Sequence, residues 1–213
     1  LSVLTLLDLS SAFDTIDHTI LINRLRNVFG INGKVLSWFQ SYLSNRKQTV
    51  SIEGQYSTPC ILPFGVPQGS VLGPLLFIMY TQPLSGIISQ HPVSHISFAD
   101  DTQLRRSDTP EKIGEVICNI QSCVSDVRIW MTENKLKLNE DKTEAMIISS
   151  KYMPKSILAS LPSSMLVESA TISFSKTARN LGVLFDTSLC MEKHVSQVCK
   201  TAYYELRLIA SIR

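Results

Sequence analysis

The chain has 213 residues, a formal net charge of +2, 44% hydrophobic residues and 18% charged residues. This length fits one domain or two small ones, and this composition excludes an intrinsically disordered chain. The small positive charge is weak evidence for a nucleic-acid partner, because proteins that bind nucleic acid often carry a clear basic surplus.

The cysteines and the apolar stretches indicate the compartment. Five scattered cysteines without a Cys-x-x-Cys pair favour reduced thiols in an intracellular protein over a disulfide scaffold or a zinc site. No signal peptide is visible, and glycines and prolines interrupt the most apolar stretch, residues 71–88, so we expect no membrane span. The first residue is not Met and lies in an apolar run, so we expect a piece of a longer protein.

The N-terminal run predicts a short strand that ends at an acidic residue. Residues 1–9 are almost all apolar, as in a strand that is buried on both faces. Asp8 at the end of such a strand is costly unless it is exposed, paired or bound to a metal. Phe13 follows at a spacing that returns the chain towards Asp8. Asp14 and Asp17 are interpreted as turn and helix N-cap residues, with a direct catalytic role as the less favoured alternative.

The next elements are two helices, a hairpin and a glycine-containing turn. Apolar residues recur at helical spacing over residues 18–29 and 33–43, and residues 46–62 alternate as in a β-hairpin. The sequence GVPQGS at residues 65–70 then precedes an apolar helix that is predicted to run to about residue 88. Glycines let the backbone approach a ligand closely, and Gln68 lies beside that approach. Such a turn alone is weak evidence for a site.

Residues 94–104 predict a β-hairpin with Asp100 and Asp101 at its tip. Two neighbouring carboxylates repel each other unless a cation lies between them or one of them stays protonated. Mg²⁺ prefers oxygen ligands and is usually held by one or two carboxylates together with substrate phosphates. A solvated Asp-Asp turn is the alternative for these residues taken alone.

The C-terminal half alternates helices and short strands. Residues 111–131 predict the clearest amphipathic helix, residues 135–148 a loop and then a strand, and residues 151–164 a surface loop. Residues 170–174 and 180–185 predict a small hairpin before a final helix that begins near residue 191. A central antiparallel sheet with helices on one face satisfies the whole order, and this α+β layout is palm-like. It allows Asp8 and the Asp100–Asp101 pair to lie on adjacent strands.

Five motifs in this order resemble those of the reverse transcriptases of non-LTR (LINE-type, jockey-like) retrotransposons. They are LDLSSAFD at residues 7–14, the Gly-x-Pro-Gln-Gly-Ser motif within residues 65–77, FADD at 98–101, Leu138-Asn139 with residues 142–144, and NLGV at 180–183. Each motif alone is weak or moderate evidence, but coincidence of all five in order is very improbable. The resemblance implies a polymerase palm at residues 1–188, with the fingers missing upstream, and the start of a helical thumb at residues 189–213.

The resemblance also implies an activity and a set of catalytic residues. The activity is RNA-directed DNA polymerisation, in which a nucleotide is transferred from a dNTP to the 3′-hydroxyl of a primer. Asp8, Asp100 and the backbone carbonyl of Leu9 are implied to hold two Mg²⁺ ions, or Mn²⁺ in their place, with Asp101 close by. The resemblance implies that one ion would lower the pKa of the primer hydroxyl and that the other would neutralise charge on the triphosphate and the leaving pyrophosphate.

Further residues receive roles at the substrate. The resemblance implies that Phe13 stacks under the deoxyribose and excludes a 2′-hydroxyl. Gln68 and Gly69 are implied to contact the incoming nucleotide and the template-side backbone, and Lys142 to protonate the pyrophosphate or shield its charge. The implied partners are an RNA template, a DNA primer, dNTPs and the missing fingers and endonuclease regions of the same polyprotein, without a membrane.

Departures from the family pattern keep other hypotheses open. Arg105 and Arg106 stand in a strand that is apolar in relatives, and charges there are costly unless they reach solvent or an acid. Either this copy has drifted or the arginines face the primer backbone. A truncated, inactive retroelement remnant and a co-opted nucleic-acid-binding module are the alternatives to an enzyme. We expect the 213 residues alone not to extend a primer.

Overall fold

The computed structural model describes residues 1–139, 142–167 and 170–212. Glu140 and Asp141, which belong to the loop predicted ahead of a strand, lie outside the described residues. So does Arg213, the last residue of the predicted thumb segment.

The described elements confirm the predicted α+β class. The helices are α1 (His18–Asn27), α2 (Gly33–Leu43), α3 (Leu72–Thr81), α4 (Leu84–Ile88), α5 (Ile113–Glu133), α6 (Lys155–Ser160) and α7 (Glu192–Ser211), with a 3₁₀ turn at Pro110–Lys112. The strands are β1 (Ser2–Leu7), β2 (Lys47–Gln48), β3 (Ser51–Ile52), β4 (Gln55–Tyr56), β5 (Cys60–Ile61), β6 (Ser94–Phe98), β7 (Asp101–Ser107), β8 (Glu144–Ile148), β9 (Ser164–Val167), β10 (Ala170–Ser173), β11 (Thr177–Asn180) and β12 (Val183–Asp186).

A four-stranded antiparallel sheet in the order β6-β7-β1-β8 lies at the centre of the fold. Successive side chains of a strand point to opposite faces, so β1 supplies both sides of the sheet. Val3 and Leu7 join the main core, which also contains the apolar face of α5. Leu4 joins a second, smaller cluster with Met146 of β8 and Ala178 of β11. Helices α1 to α5 therefore cover one face of the sheet, as predicted, whereas the β11–β12 hairpin packs on the other face and carries α7 against β12.

Two predicted elements differ from the structure. The prediction of a single apolar helix to about residue 88 is wrong, because the chain forms two helices, α3 and α4, with a break at Gln82 and Pro83. Proline has no N–H for a helical hydrogen bond, and its ring crowds the preceding turn. The prediction of a surface loop at residues 151–164 is also wrong, because this segment contains α6. The helix begins directly after Pro154, and proline is well suited to a helix start.

The strand pairing in the C-terminal region also differs from the prediction. The sequence predicts that the strand at residues 170–174 pairs with the strand at residues 180–185. In the structure β10 pairs with β9, and β11 pairs with β12. Met165 and Val167 of β9 are buried in the main core, so β9 is held there by packing. The short, serine-rich sequence around β9 gives little sign of this, because the burial depends on the distant helix α5.

A buried polar network joins α1, α3 and the end of α5. The fully buried Tyr80 donates its hydroxyl to the backbone carbonyl of Asn134 at 2.6 Å. The guanidinium of Arg24 donates to the carbonyl of Tyr80 and to the side-chain carbonyl of Asn134. It also lies over the rings of Tyr80 and Trp130, at 4.8 and 5.3 Å from their centroids. Burial lowers the pKa of the Arg24 guanidinium, and the network satisfies its charge within the protein.

Within the described ranges, no helix combines the length and the apolar character that crossing a membrane requires.

All five cysteines are free thiols, and only Cys123 is buried. Burial raises the pKa of the Cys123 thiol to about 11, so it stays protonated as a small apolar core group.

Tyr80→Phe is expected to destabilise the protein by about 1–3 kcal/mol, because it leaves the buried Asn134 carbonyl without its donor. Urea unfolding followed by circular dichroism measures this difference. Tyr203→Phe, at an exposed position of α7, is the matched control and should change the free energy of unfolding by less than about 0.5 kcal/mol. Equal effects of the two substitutions would contradict the role of the network.

Candidate functional site

The sheet register brings the three predicted carboxylates to one end of the central strands. Leu7 of β1 lies opposite Thr102 of β7, so Asp8, the next residue, lies beside Asp101, which begins β7. Phe98 pairs with Asp101 across the β6–β7 hairpin, and Asp100 is in the turn between them. Residues that are far apart along the chain therefore meet at the tip of the sheet, as the sequence predicts.

The carboxylates interact electrostatically. Burial, followed by the charges of Asp100 and Asp8, raises the pKa of Asp101 above its ordinary value. Asp8 Oδ2 is buried and has no hydrogen-bond donor among the described residues. Lys142 Nζ, on a largely exposed side chain, lies 3.7 Å from this oxygen. The structure thus brings Lys142 to Asp8, and the ammonium group offsets part of the negative charge.

The backbone beside Asp8 also offers an oxygen. Leu9 forms an antiparallel bridge with Leu138, which is held by hydrogen bonds from Ser10 N to Lys137 O and from Asn139 N to Asp8 O, each 2.9 Å long. The carbonyl of Leu9 takes no part in this bridge. It is therefore available as a neutral oxygen ligand next to the carboxylate of Asp8.

These oxygen atoms are suitable ligands for a hard divalent cation. A buried carboxylate oxygen without a donor and a neighbouring acid with a raised pKa are both relieved by a cation, and oxygen-only ligands suit Mg²⁺. In the described part of the chain, no group of three or more His, Cys, Asp or Glu side chains is arranged to hold a metal ion. The fit therefore rests on one or two carboxylates and a carbonyl, with further ligands supplied by substrate phosphates and water.

The predicted nucleotide-side residues lie on two loops that pack together. The ring of Phe13 is 5.0 Å from that of the fully buried Phe77 of α3, and the two rings are tilted by 33°. This contact braces Phe13 between the core and the surface. Gln68 donates two hydrogen bonds to Asp14, with Nε2 at 3.0 Å from Oδ1 and 2.9 Å from Oδ2. Gly69 follows with φ +75°, a conformation that favours glycine.

Gly65 allows the two loops to approach this closely. A Cβ atom on Gly65 would lie 2.9 Å from the carbonyl oxygen of Asp14, and its φ is +81°. The Gly65 N–H donates to the carbonyl of Ile16 at 2.8 Å, and the carbonyl of Gly65 is 2.8 Å from His18 Nε2 and 2.6 Å from Arg46 Nη1. The contacts of His18 and Arg46 with residue 65 have no signal in the sequence, since no local spacing connects either of them to that position.

The two acids that were interpreted as local structure have different partners. Asp17 accepts hydrogen bonds from Thr19 N and Ile20 N at 2.8 and 3.0 Å, so the N-cap interpretation is confirmed. Asp14 does more than occupy a turn, because its carboxylate holds Gln68. The one available signal was its position next to Phe13 in the first acidic motif.

Arg105 and Arg106 point to opposite faces of the sheet. Arg106 donates to the carbonyl of Pro92 and lies 3.6 Å from Glu115 of α5, so this arginine reaches an acid. Arg105 is exposed and lines a cavity on the other face, beside Leu4 and Ile148. The alternation of a strand therefore gives the two charges separate environments.

Comparison with known proteins identifies a family match. Residues 2–185 match the family model described as "Reverse transcriptase (RNA-dependent DNA polymerase)". The chain is 27% identical over 206 residues to the probable RNA-directed DNA polymerase from transposon BS of Drosophila melanogaster, with 94% of this chain and 22% of the relative covered. It is 23% identical over 197 residues to the RNA-directed DNA polymerase from mobile element jockey of Drosophila funebris, with 90% and 20% covered. The chain thus spans about a fifth of the length of these relatives.

Solved structures share the fold. Apo telomerase from Candida tropicalis, truncated from its C-terminal domain, has a TM-score of 0.58 at 14% identity, with 88% of this chain and 34% of that chain covered. Telomerase from Candida albicans in complex with a fragment of telomeric RNA has a TM-score of 0.57 at 12% identity, with 88% and 30% covered. At this level of identity the likeness establishes the fold alone.

Asp101→Asn is expected to raise the melting temperature of the metal-free protein at neutral pH. The substitution removes a partly buried charge that Asp100 and Asp8 both repel. Thermal unfolding in the presence of a chelator measures the change. Glu53→Gln, in the exposed turn between β3 and β4, is the control and should leave the melting temperature unchanged. A lower melting temperature for Asp101→Asn would show that the carboxylate is stabilised in a way that these contacts do not include.

Proposed function

This chain belongs to the reverse transcriptase family, and from that premise we propose that it is the catalytic palm of an RNA-directed DNA polymerase of a non-LTR retrotransposon. The observation that carries the proposal is the position of Asp8, Asp100 and Asp101 at the same tip of the central sheet. In this proposal residues 1–188 form the palm, and residues 189–213 begin the thumb. The chain acts within a longer protein, and alone it does not extend a primer.

The proposed metal ligands are Asp8, Asp100 and the backbone carbonyl of Leu9, with Asp101 close by. Bound divalent cations, Mg²⁺ or Mn²⁺, would activate the primer 3′-hydroxyl and offset the charge of the triphosphate and the pyrophosphate. Asp8 suits this role because one of its oxygens is buried without a hydrogen-bond donor from the described part of the chain. Two neighbouring acids at the same end of the sheet supply the negative charge that attracts such an ion.

Lys142 and the two loops hold the substrate in this proposal. Lys142 lies beside Asp8, where its ammonium group can offset charge on the pyrophosphate or donate a proton to it. Phe13, braced by Phe77, stacks under the deoxyribose and excludes a 2′-hydroxyl by its bulk. Gln68 and Gly69 contact the incoming nucleotide and the template-side backbone.

The proposed partners follow from this chemistry. They are an RNA template, a DNA primer, dNTPs and the fingers and endonuclease regions of the same polyprotein. The protein acts inside the cell, where its free thiols remain reduced. Because the chain spans about a fifth of the relatives' length, activity belongs to the full-length protein.

Asp100→Asn in the full-length protein is expected to reduce Mg²⁺-dependent primer extension by about 10³-fold or more. Loss of one metal-binding carboxylate removes several kcal/mol of transition-state stabilisation. Extension of a radiolabelled primer on an RNA template measures the loss. The control is Asp126→Asn, which removes an exposed acid of α5 that pairs with His91 and should leave the rate unchanged. Retained activity of Asp100→Asn would refute the proposed site.

Phe13→Val is expected to increase incorporation of ribonucleotides relative to deoxyribonucleotides by about 10-fold or more. A smaller side chain makes room for the 2′-hydroxyl, and a contact of this size is worth about 1–3 kcal/mol of discrimination. The ratio of kcat/KM for an rNTP and the matching dNTP measures the effect. Phe39→Val, on α2, is the control and should leave this ratio unchanged. An unchanged ratio for Phe13→Val would remove Phe13 from the sugar pocket.

A further inference from the structure

We propose that Asp14 is a positioning residue, which orients the side-chain amide of Gln68 so that its carbonyl oxygen is free to accept a hydrogen bond from the incoming nucleotide. Gln68 Nε2 is 3.0 Å from Asp14 Oδ1 and 2.9 Å from Asp14 Oδ2. An ionised carboxylate can only accept hydrogen bonds, so the NH₂ group of Gln68 must face it. This inference rests on the proposed function and adds a specific task for Asp14.

Backbone hydrogen bonds hold the loop of Asp14 against the loop of Gln68. The N–H of Val66, two residues before Gln68, donates to the carbonyl of Phe13, the residue before Asp14, at 2.9 Å. The loop of Gln68 is also closed on itself, because Ser70 Oγ donates to the carbonyl of Pro67 at 2.7 Å. At Gly65 the backbones of the two loops approach so closely that a Cβ atom does not fit. The Asp14–Gln68 contact is therefore built into the packing of the loops.

Stability does not account for the pair. Both Asp14 and Gln68 are exposed, and hydrogen bonds and charge contacts at exposed positions contribute little to folding. Asp17, in the same loop, is the acid that supports the fold, because it caps α1. Asp14 is thus available for the neighbouring site, and its two oxygens hold one amide.

Orientation of Gln68 before binding has a predictable effect on affinity. A free glutamine samples several rotamers and both orientations of its amide, and binding must select one of them. Immobilising one flexible side chain reduces affinity by about 3- to 10-fold. Asp14 removes this loss in advance, so its effect is expected in the KM for dNTP and not in kcat.

The test uses Asp14→Asn in the full-length protein that contains this chain. Asparagine keeps the size of the side chain but removes the charge and can present a donor to Gln68. The KM for dNTP should rise by about 3- to 10-fold, with kcat and the melting temperature unchanged. Asp17→Asn is the matched control: asparagine also caps helices, so KM, kcat and melting temperature should all stay at the wild-type values.

A double-mutant cycle shows whether Asp14 acts through Gln68. Gln68→Ala should raise the KM by itself, and adding Asp14→Asn to that variant should cause no further change. The equilibrium Kd for dNTP on a primer with a terminal dideoxynucleotide gives the same comparison without turnover.

Three results would overturn the inference. The first is an unchanged KM for dNTP in Asp14→Asn. The second is a double variant whose KM rises by the product of the two single effects. The third is a loss of activity in Asp14→Asn that is confined to kcat. Each of these leaves the proposed function intact if the wild-type protein extends primers. A wild-type protein that neither binds dNTP nor extends a primer refutes the proposed function, and the inference with it.

Discussion

The pairing of β1 with β7 on one side and β8 on the other is the constraint on which the candidate site depends. β1 is one of the two inner strands of the sheet, and its register places Asp8 beside Asp101 and brings Lys142, just before β8, near the same end. A shift of one residue would turn Val3 and Leu7 away from the helices and move Asp8 off the tip. The burial that holds the register therefore also holds the acids together.

The core and the site are connected through the helices. Arg24, Tyr80 and Asn134 join α1, α3 and the end of α5 in one buried network. α1 begins at the end of the loop that carries Phe13, and α3 begins just after the loop that carries Gln68. A buried network of this kind fixes the helices from which the loops of the candidate site extend, and sites are held more precisely when packed elements support them.

The site itself contains unfavourable electrostatic interactions. The pKa of Asp101 is raised by burial and by two other acids, and a buried oxygen of Asp8 lacks a donor among the described residues. Such costs are expected where a protein binds a charged ligand, because the same arrangement becomes favourable once the ligand is bound. In the proposed palm, divalent cations and nucleotide phosphates would be ligands of this kind.

The sequence by itself determined most of the helices of the first half, the acidic pair at a hairpin tip and the family, because periodicity, turn residues and motif order are local properties of the chain. Helices α1, α2 and α7 and the strand before Asp8 follow from such patterns, and the family match confirms the resemblance. Only the tertiary structure decided the pairing of β9 with β10, the opposite environments of Arg105 and Arg106, and the contact of Asp14 with Gln68. These features depend on atoms that are distant along the chain, and the free energy of packing that brings such atoms together leaves no periodic pattern in the sequence.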